Sequence, residues 1–251
     1  MTAAVHALQR SLGVRDLTGK RFLDIGSGSG LSSLAATRLG ASVHSFDFDP
    51  RCVACTKELK RRYAQNAEWT IEVGSVLDAT YLRALGRFDI VYAWGVLHHT
   101  GALWRAMDHA GSMVAPGGYL LIAVYNDQGR ASRRWRYIKR LYISLPPCTR
   151  FLILWPCFLR LWGPTTLRDL LHGVPFRTWR QYREDRGMSP WRDVVDWVGG
   201  YPFEVAKPEE VFRFYDTRGL TLVGLETCGG GHGCNELVFR KAFTTASIES
   251  S

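Results

Sequence analysis

Three glycines at alternating positions follow the first apolar run of the sequence. They are Gly26, Gly28 and Gly30, in the segment LDIGSGSG. Glycine lets a backbone approach a ligand where a Cβ atom would clash. Asp24, two residues before the first glycine, can accept hydrogen bonds from an ammonium group. The combination predicts a cofactor site where a strand ends, although a glycine-rich turn alone also suits a dinucleotide.

A second acid favours a cofactor that contains ribose. Asp47 ends the next apolar run, about 20 residues after Gly26, the separation at which a carboxylate binds ribose hydroxyls in nucleotide-binding folds. Leu31 stands where the dinucleotide pattern GxGxxG has its last glycine, so a nicotinamide cofactor is disfavoured. A nicotinamide dehydrogenase and a nucleotide-free α/β domain are the alternatives.

Three histidines are candidate general bases, because histidine titrates near neutral pH. His98 and His99 follow one predicted strand, and His232 lies in the glycine-rich turn CGGGHGC. The alternatives are structural. The adjacent histidines would cap a helix or pack beneath a cofactor, and His232 would be a solvent-exposed turn residue.

The order of elements predicts a parallel sheet with crossover helices. The predicted strands are Arg21–Ile25, Ala41–Phe46, Trp69–Val73, Phe88–Ala93, Tyr119–Val124, Leu220–Glu226 and Glu236–Arg240. The predicted helices between them are Leu31–Leu39, Pro50–Tyr63, Ala102–Val114 and Pro208–Thr217, with Pro116–Gly118 breaking the third. The predicted fold class is α/β: a Rossmann-like seven-stranded sheet with helices on both faces, whose ligands bind beyond the carboxyl ends of the strands.

The alternation of predicted strands and helices stops in the segment from Asn126 to Ala206, which is rich in Arg, Trp and Pro. We predict a mainly helical cap insertion over residues 126–206, after strand five. It would belong to a single domain that covers residues 1–251.

Four segments in succession resemble the motifs of class I S-adenosylmethionine-dependent methyltransferases: LDIGSGSG, HSFDFDP, EVGSVLD and FDIVYAWGVLHHTG. The chain is similar to bacterial ubiquinone-type and sugar-modifying O-methyltransferases. The resemblance covers roughly Lys20–Val124 and the closing strands. It implies S-adenosyl-L-methionine as the cofactor and methyl transfer as the reaction.

The resemblance also implies roles for particular residues. Asp24 and Gly26 would lie near the methionine end, Asp47 on the ribose hydroxyls and Phe48 against the adenine. The remaining implied cofactor contacts are Ser27, Gly28, Gly30, Ser75, Val76, Leu77, Trp94 and Gly95. Ser75 stands where many relatives have Asp, so Asp78 is a possible substitute for the contact with the adenine amino group. Similar methyltransferases often carry a histidine at the position of His99, which makes it the leading base.

The net charge of +9 is concentrated in one part of the chain. Between Arg130 and Arg183 twelve residues are basic and only Asp169 is acidic. A basic segment attracts anionic partners such as phosphates, lipids or nucleic acid. Its apolar run, Phe151–Leu159, is too short to span a bilayer, which takes about 20 residues. Three interpretations remain: peripheral contact with a membrane through residues 130–183, a lid that holds an anionic substrate, and a solvated basic face over a buried helix.

The predicted function is methyl transfer to a small-molecule or lipid-linked acceptor, at oxygen. The candidate substrate contacts are Tyr125, Asn126, Asp196, Trp197, Glu204, Asn235 and Glu236. The end of strand four lacks the Asn/Asp-Pro-Pro-Tyr segment that suits methylation of a nucleic-acid base. An RNA methyltransferase that uses the basic cap is one alternative, and a non-catalytic cofactor-binding scaffold is another.

The remaining expectations concern metal and compartment. The spacing of potential ligands predicts no metal site. The first residues lack a signal-peptide pattern, and the six cysteines lack the spacing of a disulfide framework. We therefore predict a cytoplasmic protein, for which peripheral contact with a membrane is one of the three interpretations of the basic segment.

Overall fold

The computed structural model describes residues 2–186, 188–231 and 233–243. The chain divides into two compact units, of which the first comprises Met1–Asp127 and Val205–Ser251 and the second Gln128–Glu204. The first unit contains the sheet, and the second is built from helices.

Seven strands of the first unit form one sheet in the order β3-β2-β1-β4-β5-β7-β6. The strands are β1 (Arg21–Ile25), β2 (Ser42–Asp47), β3 (Trp69–Val73), β4 (Phe88–Trp94), β5 (Val114–Tyr125), β6 (Leu220–Glu226) and β7 (Cys234–Lys241). β7 runs antiparallel to β5 and β6. The other neighbouring pairs, β3–β2, β2–β1, β1–β4 and β4–β5, are parallel. This arrangement confirms the predicted Rossmann-like seven-stranded sheet.

Helices cover both faces of this sheet. In chain order the helices of the protein are α1 (Thr2–Leu12), α2 (Leu31–Arg38), α3 (Pro50–Tyr63), α4 (Ala79–Leu85), α5 (Leu103–Ser112), α6 (Arg130–Ser144), α7 (Phe151–Leu171), α8 (Arg177–Arg186), α9 (Pro190–Gly199) and α10 (Pro208–Asp216). Successive side chains of β1 point to opposite faces of the sheet, as in any strand, so they pack in two different hydrophobic clusters. Leu23 packs in a cluster that contains Met107 of α5, and Phe22 packs in one that contains Leu8 of α1.

The segment Pro116–Gly118 does not separate a helix from strand five, as we predicted, but lies inside β5. Val114 pairs with Phe88 and Tyr119 with Ile90, so the residues between them form an irregularity in an otherwise continuous strand. A Cβ atom at Gly118 would come within 2.6 Å of the Asp89 carbonyl oxygen, so the close approach of two backbones requires glycine here. Proline and glycine therefore mark a bulge rather than a break.

Two helices of the first unit were not predicted. α1 covers the α2 side of the sheet through Leu8 and Leu12, which are buried. α4 is a short helix whose first turn is capped by Asp78, and its Leu82 is buried. A seven-residue helix carries too little apolar periodicity to be recognised from sequence.

The second unit contains α6 to α9. Its core holds an unusual buried cation: Lys139 of α6 is fully buried. The Lys139 Nζ atom donates a hydrogen bond to the backbone carbonyl of Trp197 and lies 4.1 Å from the Trp197 ring centroid and 4.8 Å from that of Phe203. Among the described residues, no helix is both long and apolar enough to cross a membrane.

Replacement of Lys139 by methionine should make the stability of the protein less dependent on pH. Burial lowers the pKa of Lys139 from 10.5 to about 7, so between these values the unfolded chain binds more protons than the folded one. The contribution of Lys139 to wild-type stability therefore rises with pH across this window, by roughly 2 kcal/mol between pH 7 and pH 9. In thermal unfolding, the Tm of Lys139→Met minus that of the wild type should be larger at about pH 6 than at about pH 9. Equal differences at the two values would show that Lys139 titrates as it would in water.

Candidate active site

The glycine-rich loop leaves open space at the end of β1. Gly26, Gly28 and Gly30 have φ values of 73°, 54° and 78°, in the left-handed region that favours glycine. A Cβ atom at Gly26 would lie 2.4 Å from the Val96 side chain, whereas a Cβ atom at Gly28 would meet nothing within 4 Å. The loop therefore packs tightly against the segment after β4 on one side and offers room to a ligand on the other.

Asp47 joins the end of β2 to this loop. Its carboxylate accepts hydrogen bonds from the backbone N–H groups of Gly28 and Asp49, each at 2.9 Å. An ionised carboxylate has about four acceptor positions, so both oxygens can still accept hydrogen bonds from hydroxyl groups. The Ser27 hydroxyl lies 3.2 Å from the Thr56 hydroxyl, and this hydrogen bond connects the loop to α3. The arrangement fixes a carboxylate beside the open space of the loop.

Asp24 lies beneath the loop. It is 2% exposed and accepts a hydrogen bond of 2.5 Å from the Ser33 hydroxyl, which also lies 2.6 Å from the Ser45 hydroxyl. Burial raises the pKa of Asp24 to about 6, and the charge of Asp47 adds to this effect, while the bond from Ser33 opposes it. Asp24 is therefore held inside the protein by Ser33, and a direct contact with an ammonium group stays a prediction.

The residues after β2 and β3 differ in what they present to a ligand. Phe48 is 80% exposed, so one face of its ring is available for stacking. Val76 is buried, and the Ser75 hydroxyl accepts a hydrogen bond from the Leu77 N–H at 3.2 Å. The Asp78 carboxylate accepts two backbone N–H groups in the first turn of α4, which makes it a helix cap. This capping role accounts for Asp78 without a contact with the adenine amino group, and that contact stays a prediction.

The end of β4 combines an open glycine with an aromatic cluster. Trp94 is 50% exposed, and a Cβ atom at Gly95, whose φ is 77°, would meet nothing within 4 Å. A 3₁₀ turn, Leu97–His99, follows and turns the two histidines toward β5. The His98 and His99 ring centroids lie 4.4 Å apart.

His98 and His99 differ in their accessibility. His98 is fully buried, its ring stacks on Tyr125 at 3.9 Å, and its Nδ1 atom accepts the Tyr125 N–H at 3.4 Å. This burial and the stacking favour the packing alternative for His98, and its role as a base stays a prediction. His99 is half-buried and its ring meets Tyr125 edge-on at 5.5 Å. His232, the third candidate, lies outside the described residues.

The ends of β5 and β7 are connected by an amide pair. The buried Asn235 side chain donates a hydrogen bond to the Asn126 side-chain oxygen at 3.1 Å. Its own oxygen accepts the Cys228 N–H at 3.3 Å. Asn235 therefore holds the turn between β6 and β7 against β5, while the half-buried Asn126 remains a candidate for contact with a substrate.

A cavity of about 310 Å³ lies between α1, the start of α2 and the sheet. Trp94 and Glu236, which were predicted separately as cofactor and substrate contacts, both line it, together with Tyr92 and Ser32. Burial, and to a lesser extent the charges of Asp24 and Glu236, raise the pKa of Tyr92 to about 12. The cavity is thus bounded by a neutral phenol, a carboxylate and apolar side chains.

Sequence reasoning missed the contribution of α1 to this cavity. The lining residues of α1 are Ala4, Ala7, Leu8 and Ser11. The spacing of Val5, Leu8 and Leu12 is an amphipathic signal that predicts a helix here. The cavity itself has no local signal, because Leu8 and Glu236 are far apart in sequence.

Three predicted substrate contacts belong to the second unit. Asp196 is exposed and Glu204 half-buried. Trp197 meets Trp135 edge-on at 5.5 Å and covers Lys139, which gives it a packing role in that unit. Contact of these residues with a substrate stays a prediction. In the part of the chain that the structure describes, no cluster of His, Cys, Asp or Glu could hold a metal ion.

Comparisons with known proteins identify a methyltransferase. A family model described as a methyltransferase domain matches residues 2–181. A ubiquinone biosynthesis O-methyltransferase of Caulobacter sp. (strain K31) is 30% identical over 164 residues, which are 62% of this chain and 59% of the relative. A protein of the same name from Methylocella silvestris is 33% identical over 112 residues, 45% of this chain and 42% of the relative. The matches thus span about half the length of these curated relatives.

Solved structures share the fold. A magnesium protoporphyrin IX methyltransferase from Synechocystis PCC 6803, with bound SAH, superposes with a TM-score of 0.55 at 15% identity. The superposition covers 96% of this chain and 81% of that protein. An N-methyltransferase from Bradyrhizobium japonicum WM9 has a TM-score of 0.54 at 17% identity, with coverages of 96% and 95%. At such identities the likeness concerns the fold.

Proposed function

Because this chain belongs to the class I S-adenosylmethionine-dependent methyltransferases, we propose that it methylates a hydroxyl oxygen of a small-molecule or lipid-linked acceptor. The two relatives named O-methyltransferases, at 30% and 33% identity, support oxygen as the acceptor atom. The observation that carries the proposal is the cavity at the end of β4, where apolar walls meet a single carboxylate.

The residues at the ends of β1, β2 and β4 fit S-adenosylmethionine. Gly28 and Gly95 both border open space that a Cβ atom would enter, and Asp47 keeps acceptor positions beside it. The exposed ring of Phe48 would stack on the adenine, and Asp47 would accept the ribose hydroxyls. When bound, the cofactor supplies an electrophilic methyl group on a sulfonium centre.

The cavity supports an acceptor with an apolar body. A volume of about 310 Å³ is at the lower end of ligand sites, which suits one ring or a comparable group rather than a polymer. We assign Glu236 to positioning, because a carboxylate accepts a strong hydrogen bond from a hydroxyl group. The names of the relatives favour an aromatic hydroxyl of the kind that ubiquinone precursors carry.

Transfer of a methyl group to a hydroxyl oxygen releases the hydroxyl proton. We assign the acceptance of this proton to His99, which is not among the residues that line the cavity but follows the lining residue Trp94 in the segment after β4. Its ring is half-buried at the end of β4, and the packing of His98 between His99 and Tyr125 holds it in place. Histidine suits this proton transfer because its ordinary pKa lies near neutral pH.

Replacement of Glu236 by glutamine should lower kcat/KM for a hydroxylated acceptor by about tenfold to a hundredfold, mainly through KM. Glutamine keeps the shape of the side chain but loses the charge that strengthens the hydrogen bond. Binding of S-adenosylmethionine should stay unchanged. The measurement is initial-rate kinetics with the best acceptor from a panel of catechols, quinols, hydroxylated sugars and RNA.

Glu226→Gln is the matched control, because Glu226 is an exposed acid directly opposite Glu236 in the β6–β7 pair and does not line the cavity. Equal kinetics for the Glu236 variant and the wild type would remove Glu236 from the acceptor site. Methylation of RNA alone, with a strong dependence on salt, would favour the RNA methyltransferase alternative. Cofactor binding with no turnover on any acceptor would favour the non-catalytic scaffold.

A further inference from the structure

Helix α7 exposes large apolar side chains on one of its sides. Five of them are 52–62% exposed and are called here the α7 stripe: Leu152, Trp155, Leu159, Leu167 and Leu170. At 3.6 residues per turn they fall on one side of the helix, and Leu152 and Leu170 are about five turns apart. Another side of α7 is buried, through Leu154, Cys157, Phe158 and Trp162. A helix that is apolar on two sides normally has both of them covered.

The charges of the segment that contains the α7 stripe are almost all of one sign. Within Arg130–Arg183 the twelve basic residues include eleven arginines, of which ten are exposed and Arg150 is half-buried. The single acid, Asp169, is 5% exposed and accepts hydrogen bonds from the N–H and hydroxyl groups of Thr178 at 2.7 and 2.8 Å. Residues 130–183 therefore present exposed arginines and no exposed carboxylate, whereas the exposed acids Glu184 and Asp196 of the second unit lie outside that segment.

The charges of these arginines are not neutralised by carboxylates of the second unit. Among the side chains of the second unit that the structure describes, no arginine forms an ion pair with a carboxylate. Arg160 and Arg168 lie on α7 itself, within one turn of members of the stripe, and are exposed. An apolar strip and adjacent cations thus share one helix.

We propose that the α7 stripe and the surrounding arginines dock the protein on the surface of an anionic lipid bilayer. An interfacial helix places its apolar side about 5–10 Å into the boundary between headgroups and acyl chains, while arginines meet the phosphates. Trp155 is suited to the headgroup level, where tryptophan is enriched. The proposal concerns residues of the second unit only and does not depend on the identity of the methyl acceptor.

The complementary charge favours a bilayer over the other possible occupants of the stripe. A second copy of this chain would bring the same arginines against each other, and like charges at close range repel. An RNA would match the charge but would leave four leucines of the stripe without an apolar partner. An anionic bilayer satisfies the apolar and the cationic groups together.

The test is cosedimentation of the full-length chain with phosphatidylcholine vesicles that contain or lack phosphatidylglycerol. The wild type should bind the anionic vesicles at least about tenfold more tightly than the neutral ones. The double variant Leu159→Gln with Leu167→Gln should bind the anionic vesicles about tenfold more weakly, as should Arg160→Gln with Arg168→Gln. Both leucines are more than half exposed, at 62% and 58%, so circular dichroism should show a folded protein.

Two matched controls separate the α7 stripe from exposed residues in general. Val223→Gln with Leu225→Gln replaces two similarly exposed apolar residues of β6, and Arg105→Gln with Arg213→Gln removes two exposed arginines of α5 and α10. Both control proteins should bind anionic vesicles as the wild type does. The proposal is overturned by equal binding to both vesicle types, by unchanged binding of the leucine variant, or by a dimer that only the leucine variant dissociates. Binding to RNA without binding to vesicles overturns it as well.

Discussion

Replacement of Asp47 by alanine should weaken the binding of S-adenosylmethionine at least a hundredfold. In the proposed site the carboxylate accepts two ribose hydroxyls, and each charge-assisted hydrogen bond contributes roughly 1.5–3 kcal/mol. The variant also loses the 2.9 Å contact with the Gly28 N–H, so the glycine-rich loop is held less firmly. Isothermal titration calorimetry measures the loss, and circular dichroism checks the fold.

Asp49→Asn is the control for this experiment. Asp49 is an acid two residues further on, and its side chain caps α3 by accepting the Arg51 N–H at 2.8 Å. Asparagine caps helices about as well as aspartate, so this variant should remain folded and bind the cofactor as the wild type does. Wild-type affinity in Asp47→Ala would remove Asp47 from the cofactor site.

Replacement of His99 by alanine should lower kcat by about 10²- to 10⁴-fold while leaving the affinity for S-adenosylmethionine near that of the wild type. The reason is the loss of the group to which we assign acceptance of the hydroxyl proton. The measurement is single-turnover methyl transfer at saturating cofactor. Added imidazole should restore part of the rate, because a small base in solution can replace a missing side chain only if that side chain transferred a proton.

His172→Ala provides the comparison, since His172 is an exposed histidine in the second unit and was never a candidate base. It should be as active as the wild type. Turnover of His99→Ala at the wild-type rate would return His99 to a structural role beside His98. A loss of turnover that imidazole does not restore, accompanied by a lower Tm, would lead to the same conclusion.

The sequence predicts the cofactor half well because its signals are local. The apolar run of β1, the three glycines and the start of α2 lie within a dozen residues, and left-handed φ values at Gly26, Gly28 and Gly30 are what such spacing favours. Asp47 is predictable for the same reason, since it ends the neighbouring strand. In these segments backbone geometry depends little on distant residues.

The errors arise where distant residues decide. Pro116–Gly118 looks like a break, yet Gly118 lies against the backbone of Asp89 in the adjacent strand, and no local pattern reveals that neighbour. His98 and His99 are indistinguishable in sequence, and only stacking on Tyr125 shows which of them is buried. The cavity depends on α1 and β7, which come from opposite ends of the chain.

The central claim is that this site binds S-adenosylmethionine, and calorimetric titration of the purified wild-type protein tests it most directly. We predict a dissociation constant in the micromolar range for S-adenosylmethionine and no detectable binding of NADH in a parallel titration. Binding of NADH alone, or of neither compound, would contradict the assignment of the glycine-rich loop and Asp47 to this cofactor.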